Sequence, residues 1–216
     1  MFAVYEDYIH NKGLLMRRLA ASYGQERTQI VDAGDIRDGY LEKTPPEILI
    51  FPGGADLYYC EALNGHGNAA IRGYVEQGGT YLGLCAGAYY GASQVDWAAD
   101  FPGHAIQGPR ELGFIQATAS GPVPEFMEDS RDIGRSWLNA VELDYNDGKH
   151  ACYGLVCYQG GPVFSDIQDR DTQILATYQI NGKAHPAIIA RKTGQGLAVL
   201  CSPHLENRAG DLNRAI

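Results

Sequence analysis

The sequence predicts an open, doubly wound α/β sheet, and three observations predict it. A continuous apolar run, Ile48-Leu49-Ile50-Phe51, stops at Pro52-Gly53-Gly54, as a buried parallel strand does. A helical pattern over 64–77 follows and closes at Gly78-Gly79. A second apolar run, Thr80-Tyr81-Leu82, then ends in the small-residue turn Gly83-Leu84-Cys85-Ala86-Gly87-Ala88, where a helix-compatible stretch over 86–93 begins.

In chain order, residues 2–5 form a short apolar strand. A helix carrying Leu14, Leu15, Arg18, Leu19 and Ser22 comes next. Residues 28–31 read as a second strand, ending in the turn-rich Asp32-Ala33-Gly34-Asp35. The helix over 64–77 is expected to face inward with Ala69, Ala70, Tyr74 and Val75. This βαββαβα rhythm, with loops at the strand C-terminal ends, is that of a doubly wound sheet. From about 95 to 168 the periodicity loosens, and only short strands are expected, near 113–118 and 152–158, with another at 173–178. Runs over 187–191 and 197–201, joined by Lys192-Thr193-Gly194-Gln195-Gly196, read as a hairpin that delivers His204 and Glu206 to the sheet edge beside Cys85. No repeat, linker or domain boundary is visible, so one domain over 1–216 is expected.

Composition narrows the function classes. Hydrophobic residues make up 45% and charged residues 20% of the 216, ordinary for a globular chain with a sizeable core. A net charge of -9 without any basic run argues against nucleic acid as a partner. No basic segment precedes an apolar block at the start, and no run approaches a membrane-spanning length. The cysteines at 60, 85, 152, 157 and 201 are odd in number and irregularly spaced, which favours free thiols and a cytoplasmic location over a disulfide framework.

The turn at Cys85 has the G-x-C-x-G pattern of a nucleophile elbow. Amides at the start of a helix stabilise a thiolate and an oxyanion. A thiolate also needs a base, and histidine serves near neutral pH. Ser202-Pro203-His204-Leu205-Glu206 supplies His204 as that base and Glu206 to orient its ring. The amide of Ala86, with one from Gly53 or Gly54, would form the oxyanion hole. Plainer readings exist for each part: a small-residue turn around a buried cysteine, a capping histidine near a chain end, and an ordinary Pro-Gly-Gly turn. Their combination, each at the end of an apolar run, favours the triad. Tyr58, Tyr89 and Tyr90 are candidates for a pocket wall, although core packing accounts for them nearly as well. His10, His66, His104, His150 and His185 share no ligand spacing, so neither a metal nor another cofactor is expected.

With these residues in view, the chain resembles the class I glutamine amidotransferase-like superfamily. More narrowly, it resembles the amidotransferase-like domain at the N-terminus of eukaryotic biotin–protein ligases and its stand-alone bacterial relatives. The resemblance rests on Phe51-Pro52-Gly53-Gly54-Ala55-Asp56-Leu57, on Leu63-Asn64-Gly65-His66-Gly67-Asn68, and on Gly79 through the elbow to Tyr89-Tyr90. Tyr158-Gln159-Gly160-Gly161-Pro162-Val163-Phe164 and the segment from Gly196 to Glu206 add to it. It implies a flavodoxin-like three-layer α/β/α sandwich with a mostly parallel central sheet, and Cys85, His204 and Glu206 as nucleophile, base and orienting acid.

Two departures bear on activity. Glutamine-hydrolysing members carry G-x-C-x-G-x-Q, and Tyr89 stands at that last position here. No second domain to receive ammonia is expected. The adenylation signature of a biotin ligase is absent too; Gly134-Arg135-Ser136-Trp137 matches only a fragment of it. The expectation is therefore a thiol hydrolase or amidase acting on a small amide or peptide-like bond through a thioester, not a biotin ligase. The alternative is a non-catalytic ligand-binding or regulatory module that keeps the architecture, with redox use of an exposed Cys85 as a third reading. Substrate and oligomeric state have no signature in the sequence.

Overall fold

The computed structural model describes residues 1–6, 13–101, 103–127, 129 and 139–207. His10 and the Gly134-Arg135-Ser136-Trp137 fragment lie outside them. The first strand, β1 (Phe2–Tyr5), is followed by α1 (Gly13–Tyr23), β2 (Thr28–Val31), α2 (Ala33–Arg37), α3 (Tyr40–Lys43) and β3 (Ile48–Phe51). Next come α4 (Asp56–Leu63), α5 (His66–Glu76), β4 (Thr80–Leu84), α6 (Ala86–Gly91), β5 (Ala92–Trp97), β6 (Ile106–Pro109) and β7 (Ile115–Gly121). The remainder is strand: β8 (Asn139–Asn146), β9 (Ala151–Tyr158), β10 (Val163–Ser165), β11 (Gln173–Ile180), β12 (Lys183–Thr193) and β13 (Gly196–Cys201).

Nine strands form one sheet in the order β2-β1-β3-β4-β13-β12-β11-β8-β9. The first five are mutually parallel, and from β13 outward every pair is antiparallel. Side-chain alternation splits the core in two. Ala3, Tyr5, Leu49, Phe51, Tyr81 and Leu200 face α4, α5 and α6 on one side, while Phe2, Val4, Ile50, Leu84 and Cys201 face the side that Leu15 of α1 covers. The architecture is the expected layered α/β fold with a large mixed sheet.

Four strands, in the order β10-β7-β5-β6, form a second, smaller sheet, of which the sequence revealed only β7, as the strand expected near 113–118. Val95, Ala117, Ala119 and Phe164 from it join the core of the α4–α6 layer. Among the described residues, the loosened segment after residue 95 therefore holds more strand than expected, with β5, β6 and β7 half-buried. The helix after Cys85 ends at Gly91, earlier than expected, because Ala92 enters β5 directly.

Two further expectations change at helix starts. Asp32-Ala33-Gly34-Asp35 is not a free turn: the Asp32 carboxylate accepts from Asp35 N–H, Asp35 accepts from Asp32 N–H, and this reciprocal cap begins α2. Between Gly54 and Asn64 lies α4, which periodicity missed because Tyr59 and Leu63 carry most of its burial. In α5 the inward positions are Gly67, Asn68, Ile71, Tyr74 and Val75, while Ala69 faces solvent. Among the described residues, no helix is long and apolar enough to cross a membrane.

Candidate active site

The two glycines of G-x-C-x-G act by absence of a side chain. A Cβ on Gly83 would lie 2.2 Å from the Gly87 carbonyl oxygen, and one on Gly87 would lie 2.3 Å from that of Phe51. They let α6 press against the ends of β3 and β4. The sharp turn itself falls on Cys85, whose φ of 49° with ψ of -101° is a strained positive-φ conformation that costs a side-chain-bearing residue about 1–3 kcal/mol. Packing on both sides holds it there, and Cys85 N–H donates to Cys201 O at 2.9 Å, continuing the parallel register of β4 with β13.

That register brings the C-terminal motif to Cys85. Cys201 pairs with Leu84, so the chain leaving β13 passes directly beside the elbow. His204 N–H donates to Cys157 O at 2.9 Å, pinning the segment to the end of β9. Imidazole Nδ1 lies 2.7 Å from Glu206 Oε1, which leaves Nε2 on the opposite edge of the ring. The backbone curl needed for Glu206 to reach back is present, and Arg18 Nε on α1 donates to the Glu206 carbonyl at 3.2 Å. Glu206 Oε2 is buried without a partner among the described residues.

Burial opposes a charge on His204. The negative charge of Cys85 and its hydrogen bond, together with the bond and charge of Glu206, outweigh that penalty and raise the imidazole well above its ordinary range. Gly53 completes the cluster. A Cβ built on it would lie 2.5 Å from His204 Cε1, 3.3 Å from Nε2 and 3.5 Å from Cys85 Cβ, so only glycine fits beneath the ring. Gly54 follows at φ 141°, a conformation glycine favours. Ala86 opens α6, where a helix leaves its N–H groups without intrahelical partners.

The three tyrosines separate. Tyr90 is fully buried, tilted against Phe51 and Tyr59, with its hydroxyl donating to Asn68 Oδ1. The pocket-wall reading fails for Tyr90, because it faces the helical layer of the core. Tyr89 is also buried, and its hydroxyl donates to Gly160 O at 3.0 Å, one residue from the backbone that touches Cys85. Tyr58 stands exposed on α4.

Sequence reasoning gave no role to the loop at 159–161, yet three successive carbonyls there are engaged. Cys85 Sγ donates to Gln159 O at 3.4 Å, Tyr89 to Gly160 O, and Tyr158 Oη to Gly161 O at 2.9 Å. A Cβ on Gly161 would lie 2.2 Å from Ser202 O, which locks the loop against the histidine segment. The Gly160-Gly161 pair after an apolar strand was the available signal. Asn207 Nδ2 donates to Cys157 Sγ at 3.0 Å, and burial raises the Cys157 thiol. Burial also pushes the Cys60 thiol up, to about 11, and raises that of Cys201. Among the described residues, no cluster of three or more His, Cys, Asp or Glu is placed to hold a metal.

A family model described as the N-terminal region of biotin–protein ligase matches residues 30–215. An uncharacterised protein of Chlamydia muridarum is 34% identical over 200 residues, covering 92% of this chain and 75% of that protein. A biotin–protein ligase of Schizosaccharomyces pombe is 34% identical over 173 residues, 77% of this chain; the match spans only 27% of the ligase. Two solved structures share the fold. A glutamine amidotransferase superposes with a TM-score of 0.61 at 21% identity, covering 99% of this chain and 95% of that one. PurLQS from Thermotoga maritima gives 0.64 at 16% identity, covering 95% and 87%.

Proposed function

The chain belongs to the biotin–protein ligase N-terminal family, and we propose that it is a cysteine-dependent amidase or hydrolase with Cys85, His204 and Glu206 as its triad. The observation that carries the reading is the convergence at Gly53: one glycine Cα faces both the Nε2–Cε1 edge of His204 and Cys85 Cβ, while Nδ1 on the far edge is held by Glu206. Three strand ends, those of β3, β4 and β13, meet there.

In this mechanism the Cys85 proton passes to His204 Nε2 and the thiolate attacks the carbonyl carbon of a small amide. The developing oxyanion is received by the amide of Ala86 and one from Gly53 or Gly54. His204 returns its proton to the leaving nitrogen as the C–N bond breaks, so a free amine departs and a thioester remains. Water, deprotonated by the same imidazole, then cleaves the thioester to a carboxylic acid and regenerates the thiol. Glu206 holds the ring in one orientation through Nδ1. The reading includes no biotin ligation.

A second reading, a ligand-binding module without turnover, draws on Tyr89. It stands where glutamine-hydrolysing relatives carry glutamine, and its hydroxyl is already spent on Gly160 O. The test is intact-protein mass spectrometry after mixing with a panel of small activated amides. The hydrolase reading expects an acyl adduct that maps to Cys85, disappears with time and never forms on Cys85→Ala. A stable protein mass with every amide would favour the binding module.

A further inference from the structure

A cleft of about 410 Å³ lies away from the triad, between the two sheets. Its walls are the C-terminal ends of β5 and β7, the start of β10, and the tip of the β11–β12 hairpin. No residue of the triad or of the candidate oxyanion hole lines it. The volume lies within the range of small-molecule sites, roughly 300–1,000 Å³.

The lining has an uneven charge. Asp96, Asp100 and Glu125 contribute three carboxylates, against one ammonium from Lys183 and one imidazole from His185. Asp96 and Glu125 are fixed in place, each by one oxygen. Gln107 Nε2 donates to Asp96 Oδ1 at 2.6 Å, and Asn181 Nδ2 donates to Glu125 Oε1 at 3.1 Å across the cleft from the hairpin tip. Asp96 Oδ2 and Glu125 Oε2 stay outside those bonds. The rest of the lining is largely apolar, with Phe101, Val123, Val163 and Ile180 supplying an aromatic ring and branched aliphatic surface. Fixed carboxylates beside an aromatic ring are the chemistry that holds an organic ammonium, through charge-assisted hydrogen bonds and cation–π attraction. An anion would meet three like charges, and a neutral ligand would leave the carboxylates uncompensated.

We propose that this cleft is a second binding site, separate from Cys85, that takes a small organic amine: its ammonium on Asp96, Asp100 and Glu125, its apolar body on Phe101 and Val123. Calorimetric titration of the full chain with 2-phenylethylamine, 2-phenylethanol and phenylacetate tests this, because the three probes share a shape and differ in charge. The amine should bind at least about tenfold more tightly than either of the others, and added salt should weaken it. Asp100→Asn combined with Glu125→Gln should reduce amine binding by about tenfold or more, and Ala99→Phe, which fills the cleft, should abolish it. Unchanged alkylation of Cys85 in these variants would show that they remain folded. Three results would overturn the proposal: no saturable binding of the amine, equal or tighter binding of the alcohol or acid, or amine binding that survives both variants.

Discussion

Strands β3 and β9 both end beside Cys85, and they are built on opposite rules. β3 is parallel to both neighbours, and Leu49, Ile50 and Phe51 are buried on both faces of the sheet. Phe51 alone packs against Tyr5, Tyr59, Tyr81 and Tyr90, stacked on the first at 4.6 Å between ring centroids. β9 ends the antiparallel extension, and its first five residues are exposed, with Tyr153 and Leu155 at 62% and 65%. Only Cys157 and Tyr158, where it reaches His204 and Cys85, are buried. One flank of Cys85 is therefore dense core, and the other is a strand paired with β8 along its length whose own side chains are buried only at its end. The proposed oxyanion donors, Gly53, Gly54 and Ala86, lie on the first flank. The second flank contributes Gln159 and the loop that holds Tyr89.

The largest effect that would break this contrast concerns Phe51. Phe51→Ala should cost about 4 kcal/mol in a urea melt, since it opens a cavity among four aromatic rings. Leu155→Ala on β9 should stay within about 0.5 kcal/mol. Comparable losses at both positions would show that the ribbon is as structural as the core. Gly87→Ala comes next, at about 3 kcal/mol, because its new methyl meets the Phe51 backbone rather than a flexible side chain. On β9, nothing lies within 4 Å of a Cβ added to Gly154, so Gly154→Ala should be neutral or stabilise by about 0.5 kcal/mol.

The pH dependence sharpens the same contrast at the point where the flanks meet. Folded His204 keeps its proton well above the ordinary histidine value, whereas the unfolded chain releases it near 6.5. The stability this gives is fully present below about pH 6.5 and is lost as pH rises through the folded value. The stability difference between the parent protein and His204→Gln should therefore shrink from pH 6 to pH 9 in urea melts. A constant difference would mean that His204 contributes only packing.

How much was legible follows the same division. β3 and β4 could be read because strands buried on both faces are unbroken apolar runs, and each stops at residues with a steric reason to be there, Pro52-Gly53-Gly54 and Gly83. The hairpin of β12 and β13 could be read from Ile188, Ile189, Leu197 and Leu200 around Gly194 and Gly196. Strands β5, β6 and β10 could not, because Gln94, Asp96 and Gln107 face solvent and the strands run three to six residues. At the site, Cys85, His204 and Glu206 were legible as residue types at strand ends. The role of the Gly87 hydrogen was not, because it depends on Phe51, far away in sequence. Nor was the Gln159 carbonyl, since a backbone oxygen leaves no trace in residue identity.

The central claim is that His204 and Glu206 activate Cys85. Site-resolved iodoacetamide alkylation of the five cysteines at pH 6, read by peptide mass spectrometry in the parent protein and in His204→Ala and Glu206→Gln, tests it most directly. The account predicts that Cys85 reacts first in the parent, ahead of the exposed Cys152, and that the rate falls by about tenfold or more without His204 and by less with Glu206→Gln. A Cys85 that reacts no faster than Cys152, or equally fast without His204, would contradict it.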